Sequence, residues 1–453
     1  MTQDRKERPV MILTEEHRIS RSRHKELFRK MDRYCYLAKN LSNSVNYLLK
    51  QCYRIHRKLK EGEVLESWEK GMVYRANCAI RRYNLARPGK EPLRYIDRDS
   101  SLTADAYFLS WYMKTWEVYR AMPYATCSQI CIQERCREWK AFFRGLQGYR
   151  KDPRRFYGRP KAPGYLDPVR GRGRIVITSQ NFSIDDKGHV RMPGFLSDLH
   201  IKARHRDVRQ IRIQTGPGGI RVQLMYERKE AAPADRPHAM GIDIGVNNLM
   251  AVSFSSGKEP VLINGRPLKS INQFYNKRRA SLQGTAEKSN RRSRTRAMDR
   301  LTQKRGRKVR DLMHKASRKI IDLAVQEDVG TIVIGRNAGW KQRSSMGKRK
   351  NQNFVSIPYH ILIEMIQYKA ALAGITVKLT VESYTSGTSY IDGEYPDREH
   401  YKKSRRIKRG LFRSNAGIFI NADVNAAYQI MKAGGVRDIP IKVGEQVRRI
   451  NAA

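Results

Sequence analysis

The sequence predicts a protein of mixed α and β structure, with an α/β domain at the C-terminal end preceded by a helical lobe and a β-rich part. Apolar residues recur every three or four positions over residues 25–60, which is the period of an amphipathic helix. Apolar and polar residues alternate over residues 210–214 and 220–226, around a Gly-Pro-Gly-Gly turn, which is typical of a β-hairpin. Beyond residue 238 short apolar strands alternate with helices, as they do in a parallel sheet.

The charge of the chain points to a polyanionic partner. Its 453 residues include 91 Lys plus Arg against 43 Asp plus Glu, a formal net charge of +48. Such an excess is hard to reconcile with a small-molecule enzyme and fits a protein that wraps a nucleic acid. Charge alone does not separate this reading from a ribosomal-type RNA binder or a merely basic soluble protein.

The sequence carries no sign of a membrane segment or of disulfides. No apolar run approaches the roughly 18 residues of a membrane span, so we expect no membrane partner and a cytoplasmic location of the bacterial or archaeal type. All six cysteines precede residue 137 and none form a Cys-x-x-Cys pair, so we expect free buried thiols and no structural zinc.

The N-terminal half reads as a helical lobe inserted into a β-rich domain. Residues 8–20 form one extended segment, and helices are predicted over residues 25–60, 67–83 and 101–119, with another after Pro123. These features predict a β-rich domain over residues 1–20 and 149–228, interrupted by a helical lobe over residues 21–148. An Ala/Pro linker over residues 229–237 then leads into the final domain, residues 238–453.

Three basic stretches are candidates for nucleic-acid contact. Basic and aromatic residues alternate from residue 137 to 165, which suits phosphate contact with base stacking, although a solvated loop with packed aromatics explains it equally well. The helical region 271–325 and the loop 385–416 carry too few acids to balance their bases, which favours phosphate as the counterion. The predicted nucleic-acid-binding residues are Arg144, Arg150, Arg154, Arg155, Tyr157, Lys277, Arg278, Arg279, Arg291, Arg292, Arg294, Arg296, Arg405, Arg406, Lys408 and Arg409.

Three acids stand where strands and a helix begin or end. Asp243 interrupts an apolar strand, where a carboxylate is costly unless a metal or a partner meets it, although a local hydrogen bond in a turn would also explain it. Asp423 opens a late helix, and Glu382 follows a strand over residues 375–381. Adjacent strand ends in a sheet lie about 4.8 Å apart, so Glu382 can reach the same site as Asp243. Taken alone, Glu382 reads as a surface residue, and Glu364 is the fallback for a third acid.

Residues 239–254 and 421–428 resemble the first and third RuvC motifs of transposon-encoded TnpB proteins and of type V CRISPR effectors, and the resemblance extends over about residues 8–432. It implies an RNase H-like RuvC nuclease domain at the C-terminal end, a β-rich wedge domain and a helical recognition lobe. It further implies that Asp243, Glu382 and Asp423 are the catalytic residues and ligate two Mg²⁺ or Mn²⁺ ions.

Two departures from the TnpB pattern concern the site directly. Most TnpB proteins end the middle strand with Glu, whereas this chain has Gly335, and a branch of TnpB-like proteins carries its acid in a segment like residues 382–386. Thr388 stands where relatives carry a cysteine of a zinc knuckle, so we expect the loop 385–416 to be metal-free.

The resemblance implies an RNA-guided DNA endonuclease, whose partners are a guide RNA and a double-stranded target DNA bearing a short flanking motif. One alternative is a nuclease-inactive RNA-guided DNA-binding repressor, which Gly335 favours and the retained Asp243 and Asp423 argue against. Another is an unguided RuvC-type structure-specific nuclease, which would have little use for so large an N-terminal half. The sequence leaves open whether the guide is a transposon-derived RNA or a CRISPR RNA with a tracer RNA. It also leaves open the flanking motif and the oligomeric state, with which a monomeric ribonucleoprotein is compatible.

Overall fold

The computed structural model describes residues 8–102, 104–290, 295–336, 357–408, 410–440 and 446–452. It divides into two compact units, an N-terminal unit of Ile12–Glu227 and a C-terminal unit of Met1–Met11 with Arg228–Ala453. Among the described residues no helix is long and apolar enough to cross a membrane.

The N-terminal unit contains five α-helices among its described residues, and the helices predicted over residues 25–60 and 67–83 are confirmed. The prediction of a single helix over residues 101–119 is wrong. The Asp105 side chain accepts a hydrogen bond from the Phe108 N–H and caps a helix that starts only at Ala106. That helix ends at Tyr112, and a second short helix follows at Glu117–Arg120. The helices are α1 (Lys25–Glu61), α2 (Ser67–Leu85), α3 (Ala106–Tyr112), α4 (Glu117–Arg120) and α5 (Ala125–Lys151).

The strands of the N-terminal unit form one larger sheet and one small hairpin. The larger sheet has the order β1-β6-β5-β2, and the predicted β5–β6 hairpin is confirmed by antiparallel pairing up to Gly216 opposite Gly219. Gly219 has a φ of +117°, and a Cβ there would lie 2.1 Å from the Ile19 carbonyl oxygen, so only glycine fits this turn. The strands are β1 (Val10–Ile19), β2 (Ile175–Thr178), β3 (Ser183–Ile184), β4 (Val190–Arg191), β5 (Val208–Gly216) and β6 (Gly219–Lys229).

One hydrophobic core joins the helices and the sheet of this unit. Met31 and Leu41 of α1, Trp139 of α5, and Ile211 and Val222 of the hairpin are all fully buried and belong to the same cluster. The apolar faces of α1 and α5 therefore cover the inner face of the sheet.

The C-terminal unit is built on a six-stranded sheet with the order β11-β10-β7-β8-β9-β14. Strands β7, β8 and β9 are antiparallel neighbours, whereas β10 runs parallel to both β7 and β11, and β14 parallel to β9. The sheet strands are β7 (His238–Ile244), β8 (Asn248–Phe254), β9 (Val261–Asn264), β10 (Val329–Gly335), β11 (Thr376–Thr380) and β14 (Arg448–Ile450). The remaining elements are α6 (Arg266–Asn290), α7 (Arg296–Gln326), α8 (Tyr359–Leu372), the hairpin of β12 (Leu411–Arg413) and β13 (Phe419–Asn421), and α9 (Ala422–Ala433).

The alternation of side chains along β7 sorts its residues between two layers. Met240, Ile242 and Ile244 pack into the cluster that includes α7 and α8, whereas Ala239 packs with α9 on the opposite face. A Cβ at Gly241 would lie 2.2 Å from the Ala427 carbonyl oxygen, so the absence of a side chain lets α9 approach the strand closely. By the same alternation, Asp243 lies on the α9 face.

Candidate carboxylate site at the end of the sheet

Asp243 is the next-to-last residue of β7, between two buried isoleucines. Its place on the strand is set by the pairing of β7 with β8, in which Asp243 stands opposite Ala251. Burial and, after it, the negative charge of Asp423 raise the pKa of Asp243 to about 7. A charged Asp243 is therefore costly in this arrangement unless a cation compensates it.

Asp423 lies in the first turn of α9, where a negative charge is favoured by the helix dipole. The side chain of Asn421 caps this helix by accepting hydrogen bonds from the N–H groups of Asp423 and Val424. The Asn248 Nδ2 donates to one Asp423 carboxylate oxygen at 2.8 Å, and the Arg406 guanidinium donates to the other at 3.2 Å. An amide and a cation therefore fix the orientation of the Asp423 carboxylate.

Glu382 follows β11 and reaches back over the end of the neighbouring strand. Gly335, the last residue of β10, pairs with Thr380, and a Cβ at Gly335 would lie 2.5 Å from the Glu382 Cγ and 2.6 Å from its Oε1. The Glu382 side chain thus occupies the space that a side chain at position 335 would fill. Burial and, after it, the charge of Asp243 raise the pKa of Glu382 to about 8.

The fallback acid Glu364 lies elsewhere on the C-terminal unit. It is exposed on α8 and lines a surface depression together with Glu230 and Tyr368. The acids that interact electrostatically with Asp243 are Asp423 and Glu382. The charge of Asp423 raises the pKa of Asp243, and the charge of Asp243 raises the pKa of Glu382.

The three acids supply only oxygen donors, which are the ligands that Mg²⁺ and Mn²⁺ prefer. Their chemistry and their mutual repulsion fit a divalent cation. Within the described ranges, however, no three Asp, Glu, His or Cys side chains converge closely enough to hold one ion. The ionic partner of Asp423 in this arrangement is Arg406.

Two neighbours of the acids escaped the sequence reasoning. Asn248 is the first residue of β8, and the only signal of its role in the sequence is the polar pair Asn247-Asn248 shortly after the strand that carries Asp243. Tyr359, at the start of α8, donates from its hydroxyl to the Gly245 carbonyl at 3.3 Å. Burial, and then the charges of Asp243 and Glu382, raise the pKa of Tyr359, so its hydroxyl stays protonated beside the site.

Arg405, predicted to bind nucleic acid, is buried in the loop 385–416 with only 6% of its surface exposed. Its guanidinium donates to Glu394 at 2.6 Å and to the Asn415 side chain at 2.7 Å. The prediction is wrong in this conformation, because a buried guanidinium has to be paired and Glu394 already fills that role. The same loop is tied further by the Asp392 carboxylate, which accepts from the Asn415 N–H at 2.7 Å.

Most of the basic and aromatic residues that alternate from residue 137 onward lie in α5 (Ala125–Lys151). Their spacing reflects the period of this helix rather than a surface on which bases stack. Trp139 is fully buried and donates to Asn46 at 2.9 Å, and Phe142 and Phe143 pack beside it around Tyr53. Trp139 therefore belongs to the core, and Phe142 and Phe143 are partly buried against it rather than presented as a stacking surface.

The other predicted contact residues are exposed where the structure describes them. In the N-terminal unit Tyr157 has 91% of its surface exposed. Arg406 is exposed, but its guanidinium points at Asp423. The remaining exposed residues are Arg144, Arg150, Arg154, Arg155, Lys277, Arg278, Arg279, Arg296 and Lys408, whereas Arg291, Arg292, Arg294 and Arg409 lie outside the described residues.

Two family models match the chain. Residues 222–341 match the family OrfB_IS605, described as "Probable transposase", and residues 359–430 match "Cas12f1-like, TNB domain". The second match covers Glu382 and Asp423, and the first covers Asp243 and Gly335.

Curated relatives match over less than half of their own length. The chain is 29% identical over 224 residues to the CRISPR-associated endodeoxyribonuclease Cas12f2 of Micrarchaeota archaeon (strain CG1_02_47_40), covering 47% of this chain and 39% of that protein. It is 28% identical over 199 residues to Cas12f1 of Sulfoacidibacillus thermotolerans, covering 42% of this chain and 44% of that protein. A solved structure titled as a Cas12f1-sgRNA-target DNA complex aligns with 93% of this chain and 98% of that chain, at 16% identity and a TM-score of 0.34. The two family-model matches and the Cas12f relatives agree with the resemblance of this chain to TnpB proteins and compact type V effectors.

Proposed function

We propose that this chain is an RNA-guided DNA endonuclease whose RuvC-type site consists of Asp243, Glu382 and Asp423. The observation that carries the proposal is the contact of Glu382 with Gly335, which accounts for the missing acid at the end of β10. The charge of Asp243 couples to both other acids, which come from different elements of the same unit. The curated relatives carry the name endodeoxyribonuclease, which agrees with this function.

The topology of the C-terminal unit supports an RNase H-like RuvC domain over residues 238–453. Three antiparallel strands, β9, β8 and β7, are followed by the parallel strands β10 and β11, and α9 covers the face that carries Asp243. In the same proposal, residues 1–20 and 149–228 form the wedge domain, residues 21–148 the recognition lobe and residues 229–237 the linker.

Divalent cations, proposed as two Mg²⁺ or Mn²⁺ ions, fit this donor set, and nucleases of the RuvC type generally depend on them. Bound ions would supply the activation of a water and the stabilisation of the leaving oxygen of a phosphodiester. The chain's own part is to hold the three carboxylates. Asn248 and Arg406 orient Asp423, and the glycine at position 335 leaves room for Glu382.

The proposed partners are a guide RNA and a double-stranded target DNA. The formal net charge of +48 suits a protein that holds a heteroduplex by its backbone while base pairing supplies the sequence specificity. Exposed arginines and lysines in both units, such as Arg154 and Arg278, provide cations for this purpose.

A nuclease-inactive RNA-guided DNA binder is the second candidate. It is favoured by the ion pair of Arg406 with Asp423, which neutralises one of the three acids. The side chain of Glu382 over Gly335 argues against it, because an inactive site has no need to restore a missing acid.

The test uses full-length protein produced together with its native flanking DNA. We expect a discrete copurifying RNA and Mg²⁺-dependent cleavage of a plasmid that matches it. Asp243→Ala, Glu382→Gln and Asp423→Ala should each lower the cleavage rate by more than about a hundredfold and leave RNA binding intact. Glu364→Gln is the matched control, because it removes an exposed acid of the same unit.

The outcomes separate the candidates. Cleavage without any RNA would identify an unguided nuclease, whereas RNA and target binding without cleavage by the wild-type protein would identify the inactive binder. Wild-type cleavage by the Glu382→Gln variant would show that the third acid is another residue.

A further inference from the structure

Three exposed tyrosines form a row on the N-terminal unit, here called the tyrosine row: Tyr36, Tyr47 and Tyr165. Tyr36 and Tyr47 are eleven residues apart on α1, so they lie on the same helix face, about 16 Å from each other. Tyr165 stands in the loop that crosses this face. Their exposed fractions are 39%, 49% and 47%. Such a line of half-exposed rings on one face offers flat apolar surface to a ligand.

Each end of the tyrosine row carries cations. The Lys39 Nζ lies 3.9 Å from the ring centroid of Tyr36, and the Arg172 guanidinium carbon lies 5.4 Å from it. At the other end the Lys50 Nζ lies 5.0 Å from the ring centroid of Tyr165. The spacing Tyr-x-x-Lys occurs twice on α1, so ring and ammonium recur together after three helical turns.

The loop that carries Tyr165 is held rigidly against α1. The Asn43 side chain donates to the Leu166 carbonyl and accepts from the Leu166 N–H, both at 2.9 Å. Asn46, which is fully buried, donates to the Pro163 carbonyl at 3.1 Å. Lys39 donates to the Pro168 carbonyl at 2.6 Å.

The Tyr36 end is fixed as well. Asp32 holds the Arg172 guanidinium through two hydrogen bonds of 2.8 Å each. Because the surface is already ordered, a ligand that binds it loses little additional conformational entropy of the protein.

We propose that the tyrosine row binds unpaired nucleotides of a single-stranded nucleic acid. Aromatic rings take up bases irrespective of sequence, and adjacent cations take up the phosphates. The bases contact Tyr47 and Tyr165, and the phosphates lie at Lys50 and at Arg54, which is exposed one helical turn further on. Charge complementarity favours this ligand, because the chain carries a formal +48 and Arg172 neutralises Asp32 at the other end of the row.

The inference rests on the proposed function for its ligand, since a guided nuclease presents unpaired nucleotides both in its RNA and in the opened DNA. It makes a separate claim about where they bind. The test therefore measures binding without Mg²⁺, so that it does not depend on cleavage.

The experiment measures the fluorescence anisotropy of labelled oligonucleotides of about ten nucleotides with full-length, RNA-free protein. The probes are single-stranded DNA, single-stranded RNA and a duplex of the same length. Tyr47→Ala combined with Tyr165→Ala should weaken binding of both single strands about tenfold or more, and that of the duplex by less than about twofold. The pair Tyr47→Phe and Tyr165→Phe keeps the rings and should stay within about twofold of the wild type. A larger effect on one single strand assigns the row to that strand.

The salt dependence and a second pair of tyrosines provide the controls. Removing the rings should leave the slope of log affinity against log salt concentration unchanged. Lys50→Ala with Arg54→Ala should make this slope less steep, by the amount expected for about two lost phosphate contacts. Tyr74→Ala with Tyr107→Ala removes two tyrosines that are each 72% exposed outside the row, and should leave binding unchanged. Equal loss of single-strand and duplex binding, or equal loss in this control pair, would overturn the proposal. If the row variants bind normally while the wild-type protein cleaves in a guided manner, the row proposal alone fails.

Discussion

At the end of the six-stranded sheet, the Glu382 side chain fills the space into which a side chain at Gly335 would project. A Cβ on Gly335 would lie 2.5 Å from the Glu382 Cγ and 2.6 Å from the Ile430 Cδ1, which is far inside ordinary contact distance. The glycine at the end of one strand is therefore what allows an acid from beyond the next strand to lie beside Asp243.

Gly335→Ala should displace Glu382 and lower the cleavage rate by about tenfold to a hundredfold, because catalysis is sensitive to shifts of about 1 Å. RNA binding should remain. The measurement is the rate of plasmid cleavage at saturating Mg²⁺. Gly306→Ala is the control, because that helical glycine has no neighbour within 4 Å of the added methyl group.

The coupling can also be tested by moving the acid. If Glu382 replaces a side chain at the end of β10, the double variant Gly335→Glu with Glu382→Ala should recover part of the cleavage that Glu382→Ala abolishes. A folded double variant with no more activity than Glu382→Ala would contradict the equivalence of the two positions.

Asn248→Ala should lower the cleavage rate about tenfold and raise the Mg²⁺ concentration needed for half-maximal cleavage. The reason is that the Asn248 amide fixes one oxygen of Asp423 at 2.8 Å, and loss of such outer hydrogen bonds typically costs 10–100-fold. The check is a Mg²⁺ titration of the cleavage rate. Asn264→Ala removes an amide of the same sheet that donates to Asn451, and should leave both values unchanged.

The β5–β6 hairpin, the strand that carries Asp243 and the positions of the three acids along the chain were predictable because each leaves a local signal in the sequence. An acid within an apolar strand, a glycine at a strand end and an acid at a helix start are visible without tertiary structure. The burial of Arg405 was not predictable, because it depends on Glu394, which lies eleven residues away across a loop of irregular backbone.

The aromatic residues show a different reason for error. Trp139, Phe142 and Phe143 follow the helical period of α5, and their interleaved bases suggested an exposed surface. Tyr36 and Tyr47 lie on α1, which packs into the same core, yet they are 39% and 49% exposed. Periodicity identifies the helix, whereas the width of its buried face depends on what packs against it.

Arg405→Ala should destabilise the C-terminal unit by about 3 kcal/mol, because it removes the buried guanidinium and leaves the partly buried Glu394 without its cation. Burial raises the pKa of Glu394, but the hydrogen bonds and charge of Arg405, with the Ser389 N–H, outweigh it and hold this pKa below its usual range. Denaturant unfolding measures the effect, and a zinc chelator should leave the wild-type curve unchanged. Lys402→Ala, in the exposed part of the loop, should weaken nucleic-acid binding without loss of stability. Normal stability with weakened binding in Arg405→Ala would instead restore its role as a contact.

The last prediction concerns Lys369 of α8, whose Nζ donates to the His314 carbonyl and the Ser317 hydroxyl of α7 at 2.7 Å each. Burial and, after it, the charge of Arg318 lower the pKa of Lys369 to about 8. In the unfolded chain the pKa is about 10.4, so between about pH 8 and pH 10.4 the unfolded state binds more protons than the folded state. The contribution of Lys369 to stability should therefore rise with pH across this window and be least favourable below pH 8.

The measurement is the thermal unfolding midpoint of the wild type minus that of Lys369→Met, recorded from pH 7 to pH 10. This difference should stay constant up to about pH 8 and then rise, because only the wild type sheds the buried charge. Lys315→Met removes an exposed ammonium of α7 that pairs with Asp311, and its difference from the wild type should show no such rise. A difference for Lys369→Met that is flat to pH 10 would mean that the ammonium is fully compensated where it lies.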